Sequence, residues 1–163
     1  MATTALGDTP VTTVGELPSV GTAAPSVNLV GADFSAVTLP EGKRTVLNMF
    51  PSIDTGVCAA SVRKFNELAA GLDNTAVINV SQDLPPALNR FCGAEGIENV
   101  QVGSAFRSTF GDDYGVRMTD GKLEGLFARS VVVLDADGSV LYTELVPQIA
   151  QEPDYDAAIA ALA

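Results

Sequence analysis

The chain has 163 residues, 47 % of them apolar, which suits one globular domain with a sizeable core and argues against disorder. Nine Lys and Arg against 20 Asp and Glu leave a formal net charge of −11, a surface that repels phosphate backbones and anionic membranes, so neither nucleic acid nor a membrane is expected as partner. There is no histidine, which rules out Ser-His-Asp and Cys-His catalysis, and the only cysteines, Cys58 and Cys92, are not a close pair that could anchor a zinc site.

Residues 1–8 lack the basic and apolar regions of a secretory signal, and the longest strongly apolar run, Val131 to Leu134, is far too short to cross a bilayer. The expectation is a soluble cytoplasmic protein. In that compartment structural disulfides are rare, and two cysteines are either buried thiols or redox-active ones.

Residues 10 to 40 are rich in Val, Thr, Gly and Pro, with short alternating runs at Val27–Val30 and Val37–Leu39, which reads as hairpin material at a sheet edge. Thr45 to Phe50 is a stronger strand, ended by Pro51. Cys58, Val62, Phe65, Ala69 and Leu72 then recur at spacings of four and three and make one apolar stripe of a helix that stops by Gly71. Thr75–Val80 is a strand of buried type. The next helix is expected to take Asp83 as N-cap and Pro85 and Pro86 in its first turn, to turn Leu84, Leu88 and Phe91 inward, and to carry Cys92 near its end.

Asn99–Val102 predicts a short strand and Ala105–Tyr114 a helix with Phe106 and Phe110 on one side. Phe127–Leu134 and Ser139–Leu145 predict a hairpin around Asp135-Ala-Asp-Gly138, a turn that lacks the further ligands of a calcium loop. A helix from about Pro153 to Leu162 closes the chain. Strands alternating with helices, then a hairpin and a last helix, predict an α/β domain with a mixed central sheet.

Cys58 is the residue to which chemistry attaches most readily. The reactive form of cysteine is the thiolate, and a free thiol titrates near pH 8.5, so it needs help at neutral pH. Cys58 follows the loop Pro51-Ser-Ile-Asp-Thr-Gly-Val57 at a helix start, where unpaired N–H groups and the helix dipole favour an anion. The same position suits a small buried hydrophobe, and position alone leaves both readings open. Thr55 can cap the helix or face the sulfur; Pro51 can simply end the strand or wall a pocket. Arg129 alternates with Phe127, Val131 and Val133 on one strand face, where a guanidinium needs an anionic partner: a structural carboxylate or, with no histidine to hand, a thiolate.

The run Phe50-Pro-Ser-Ile-Asp-Thr-Gly-Val-Cys-Ala-Ala-Ser-Val-Arg-Lys-Phe-Asn66 resembles the active-site segment of bacterial thiol peroxidases, the atypical two-cysteine peroxiredoxins. The resemblance continues through Ser81-Gln-Asp-Leu-Pro85, Arg90-Phe-Cys-Gly-Ala-Glu-Gly96, Tyr114-Gly-Val116, Ala128-Arg129 and Glu152-Pro-Asp-Tyr-Asp156, and so spans residues 14 to 163. It implies a thioredoxin-like fold with an N-terminal β-hairpin, over a single domain of residues 1–163 whose first 13 are peripheral. It further implies Cys58 as the peroxidatic cysteine and Cys92 as the resolving one, joined in an intramolecular disulfide during turnover. Thr55 and Arg129 would orient the peroxide and stabilise the thiolate, and Pro51 would close the pocket. Hydrogen peroxide or an organic hydroperoxide would be substrate, thioredoxin the reductant, and a homodimer the assembly; the chemistry needs no cofactor or metal. Pro86 departs from the resemblance, standing where relatives tend to carry an aromatic or other non-proline residue. The alternatives are a thioredoxin-fold interaction protein with structural cysteines and a thiol–disulfide oxidoreductase, which would normally want a Cys-x-x-Cys pair.

Overall fold

In the computed structural model, which covers residues 1–163, the order of elements is β1 (Thr3–Leu6), β2 (Thr9–Thr12), β3 (Leu29–Val30), β4 (Ala36–Val37), β5 (Arg44–Met49), α1 (Gly56–Ala69), β6 (Thr75–Ser81), α2 (Pro85–Glu95), β7 (Gln101–Ser104), α3 (Phe110–Asp113), β8 (Ser130–Leu134), β9 (Val140–Leu145) and α4 (Tyr155–Ala160). β1 and β2 form a two-stranded antiparallel sheet of their own. The other seven strands form one sheet in the order β4-β3-β7-β6-β5-β8-β9. β5, β6 and β7 run parallel through the helical crossovers α1 and α2, while β8 pairs antiparallel with β5 and β9 with β8, so the sheet is mixed.

Strand alternation divides the core. Leu47, Met49, Ile78, Val80, Val132 and Leu134 pack on one face with Phe110, Tyr114 and Phe127. Val46, Val77, Val131 and Val133 face the opposite way and pack with Phe65 of α1 and with Ala158 and Leu162 at the C-terminus. The stripe read from the sequence is the buried face of α1: Cys58, Val62 and Phe65 are each fully enclosed. A third cluster, at the carboxyl end of the central strands, joins Phe50, Ile53, Cys58 and Val62 to Leu88 and Phe91 of α2, with Cys92 packed against it.

Several elements depart from the sequence reading, each for a local reason. Ala105–Tyr114 is helical only at Phe110–Asp113. The serines divert the backbone before it: Phe106 N–H donates to Ser104 Oγ and Phe110 N–H to Ser108 Oγ, local bonds that compete with helix. Phe110 is buried but Phe106 is exposed, with Arg107 over its ring, so the two do not share a side. The N-cap of α2 is Leu84, not Asp83, and Leu84 is 57 % exposed while Leu88 and Phe91 face inward. Asn99 lies ahead of β7, where its N–H and side chain bond to Asn66 of α1. β8 begins at Ser130, so alternation does not extend back to Phe127, which packs on the face opposite Val131 and Val133. The last helix starts at Tyr155, capped by Asp154, whose Oδ1 accepts from Ala157 N–H at 3.0 Å.

Candidate active site

β5 delivers its chain to the site through Phe50 and Pro51, and the Ser52–Thr55 turn then starts α1. Thr55 holds the N-cap position in extended conformation (φ −104°, ψ 149°), but its hydroxyl caps nothing; it donates instead to the Ser52 carbonyl at 3.0 Å. The first bond of the helix is Ala59 N–H to the Thr55 carbonyl, which leaves the amides of Gly56, Val57 and Cys58 in the unpaired first turn. No acidic residue stands in that turn to offset the dipole.

Asp83 serves this loop rather than α2. It accepts from Ser52 Oγ at 2.8 Å, Ile53 N–H at 2.7 Å and Ser81 Oγ at 2.6 Å, fixing the backbone that leads to Cys58. An exposed ion pair between Arg90 and Asp54 ties α2 to the same loop, and Arg63–Glu95, at 3.1 Å, ties α1 to α2.

Arg129 reaches Cys58 across 71 positions of sequence, Nη2 donating to Sγ at 3.1 Å. Its Nε donates to the Ile149 carbonyl at 2.7 Å, and Nη1 is buried with no protein partner. The residue is 2 % exposed, yet its guanidinium has no ion-pair carboxylate. A buried cation is costly without an anion, and the group bonded to this one is the sulfur.

Pro51, Thr55 and Arg129 line one cavity of about 290 Å³, whose apolar side comes from Leu6, Leu123, Leu126 and Ile149. Cys58 is fully buried; it follows Val57, which lines the cavity, and bonds Arg129, which lines it too. The structure thus brings Pro51, Thr55, Cys58 and Arg129 together. Cys92 is on α2, outside the cavity lining but packed against the cluster that holds Cys58; its free thiol is half-buried, and burial pushes it above its ordinary range.

A buried polar chain that the sequence analysis does not contain lies under the site. Asn48 and Asn79 are register partners on β5 and β6. Asn48 Nδ2 donates to Asn79 Oδ1 at 2.9 Å and to Ser61 Oγ at 3.1 Å, and Ser61 Oγ donates to the Cys58 carbonyl at 2.8 Å. The available signal was an asparagine inside each of two otherwise apolar strands, Val46-Leu-Asn-Met49 and Val77-Ile-Asn-Val80.

A helix-borne thiol held by a buried guanidinium on a thioredoxin-like sheet defines a class, and comparison with known proteins agrees: the Redoxin family model matches residues 19–159, and the chain belongs to that family. Within it the chain is a peroxiredoxin-type enzyme of the thiol peroxidase kind. It is 56 % identical to the thiol peroxidases of Mycobacterium tuberculosis and of Corynebacterium glutamicum, each over 99 % of both chains. The crystal structure of a peroxiredoxin-like protein from Aquifex aeolicus superposes with a TM-score of 0.95 at 39 % identity, covering 99 % of this chain and 96 % of the other.

Proposed function

We propose that this thiol peroxidase reduces hydrogen peroxide and organic hydroperoxides through Cys58 and Cys92 and is recycled by thioredoxin. The observation that carries the reading is the Arg129–Cys58 contact: a buried guanidinium with a sulfur for partner favours the thiolate, as do the unpaired amides of the first turn of α1.

A peroxide in the cavity meets Arg129 and Thr55 before the sulfur. The Cys58 thiolate attacks one oxygen, the O–O bond breaks, and the other oxygen takes a proton and leaves as water or an alcohol. The sulfur is oxidised to sulfenic acid, the reversible first step of cysteine oxidation. Arg129 donors face the charge as it moves onto the leaving oxygen, and Pro51 shields the reacting atoms from bulk water. Cys92 sulfur then attacks the sulfenic sulfur, an S–S bond forms, and water departs with the sulfenic oxygen.

The two sulfurs sit on different helices, and a disulfide needs its Cα atoms within about 7 Å. We therefore expect the first turn of α1 or the end of α2 to unwind in each cycle. Burial disfavours the Cys92 thiolate, which suits a thiol that acts second. The acidic surface, a homodimer and a cytoplasmic location, where reductants are at hand, complete the proposal.

Peroxide consumption coupled to a thioredoxin system tests it. The wild type is expected to turn over and Cys58→Ser is not. Peroxide consumption by Cys58→Ser at the wild-type rate would end it.

A further inference from the structure

The β1–β2 hairpin holds none of the reactive groups; β2 bonds Thr119 and Asp120 through Thr12, while β1 and the turn bond the segment that follows β9, residues 146–149. Thr4 Oγ1 donates to the Val146 carbonyl at 2.8 Å, and Ile149 N–H donates to the Ala5 carbonyl at 2.9 Å. The Gln148 side chain closes a two-bond ring on the hairpin turn, its Oε1 accepting Gly7 N–H and its Nε2 donating to the Gly7 carbonyl, both at 3.1 Å. Gly7 stands at φ +62°, the left-handed region glycine adopts without strain, so the turn presents both its polar groups to that amide. Beneath these bonds Val11, 2 % exposed, packs in one apolar cluster with Met118, Ala128 and Ile149, and Leu6 lies against it.

The gripped segment is the one that holds Arg129. Ile149 gives its N–H to the hairpin and takes Arg129 Nε on its carbonyl, while Val146 N–H donates to the Arg129 carbonyl at 3.0 Å. A continuous set of bonds thus runs from the hairpin turn through Gln148 and Ile149 to the guanidinium, and from Nη2 to the Cys58 sulfur. A guanidinium forks rigidly from Nε, so a shift of the Ile149 carbonyl swings Nη2 off the sulfur.

We propose that the N-terminal hairpin is the outer support of the Cys58 site, with Gln148 and Thr4 as positioning residues that hold the Ile149 carbonyl on Arg129. The proposal rests on the reading of Cys58 as the reactive thiol. It concerns a stretch that contributes Leu6 to the cavity wall, so its test must separate aiming Arg129 from merely walling the pocket.

The experiment uses the full chain in a Cys92→Ser background, where Cys58 is the only thiol. Gln148→Ala and Thr4→Val are compared with the parent by thiolate ultraviolet absorbance at neutral pH, by the rate of iodoacetamide alkylation, and by rates with hydrogen peroxide and cumene hydroperoxide. Each variant is expected to lose thiolate absorbance and to alkylate about fivefold more slowly, the size of one net hydrogen bond, with equal losses on the small and the bulky peroxide. Unchanged absorbance and alkylation in both variants would overturn the proposal, and slowing confined to cumene hydroperoxide would reduce the hairpin to a pocket wall. Alkylation involves no peroxide. A parent protein inert to peroxide would therefore end the peroxidase reading while leaving this result standing.

Discussion

Arg129 does three things with one side chain: it anchors to Ile149, bonds Cys58 and leaves Nη1 without a protein partner beside a cavity. Lysine cannot reproduce this, because a single ammonium does not span a carbonyl and a sulfur with fixed fork geometry. Arg129→Lys is expected to keep the charge and lose about a hundredfold in the rate of Cys58 oxidation, the scale of removing one donor from a developing oxyanion. Single-turnover oxidation followed by rapid-quench mass analysis checks it; a loss under threefold would show that charge alone, not the aimed fork, serves the sulfur. At this scale the sequence was partly readable. An arginine at the head of an apolar run, one residue before β8, and a cysteine at a helix start are conspicuous residue types, so both stood out. The Ile149 carbonyl was not readable, because a backbone acceptor has no residue signature. Nor was Asp83, whose three donors come from Ser52, Ile53 and Ser81.

At the scale of elements, α2 carries Cys92 and is clasped to the Cys58 side by Arg90–Asp54 and Arg63–Glu95. Both pairs are solvent-exposed, and such pairs contribute about 1 kcal/mol or less. Arg90→Gln is therefore expected to speed formation of the Cys58–Cys92 disulfide, once the sulfenic acid is made, by up to about fivefold, and high salt to do the same to the wild type. Time-resolved quenching with a thiol-blocking reagent measures it; slower disulfide formation in Arg90→Gln would show that the clasp assists closure instead of resisting it. Pro85 and Pro86 stiffen the near end of the same helix, so opening is expected toward Gly96, which ends α2 in the left-handed conformation. β5, β6 and β8 were legible as continuous apolar runs and α1 by its apolar period, because burial on both faces of a strand and on one face of a helix writes those two patterns. The stretch from Ala105 to Thr109 was not, because Ser104 and Ser108 settle its course through local bonds that no periodicity records.

For the whole molecule, stability against pH carries a contribution from burial of the Glu144 carboxyl, a cost to the fold at neutral pH. Burial raises Glu144 above the usual carboxylate range, with the nearby Asp154 charge adding to it and the bond from Asp154 N–H opposing. A carboxyl whose value is higher folded than unfolded favours the fold when protonated, so its contribution is present below the unfolded value and is lost as pH rises through the folded one. Glu144→Gln keeps an acceptor for Asp154 N–H and is expected to melt higher than wild type at neutral pH, with the gap closing below about pH 4. A gap that persists in acid would place the effect in packing, not ionisation.

The two thiols, on different helices, are expected to act in order, Cys58 first and Cys92 second. Intact mass after one equivalent of peroxide reads that order directly. The wild type is expected to lose two hydrogens as a disulfide, Cys92→Ser to gain one oxygen and stall or dimerise through mixed disulfides, and Cys58→Ser to remain unoxidised over the same interval. Rapid oxidation of Cys58→Ser, equal to that of the wild type, would contradict it.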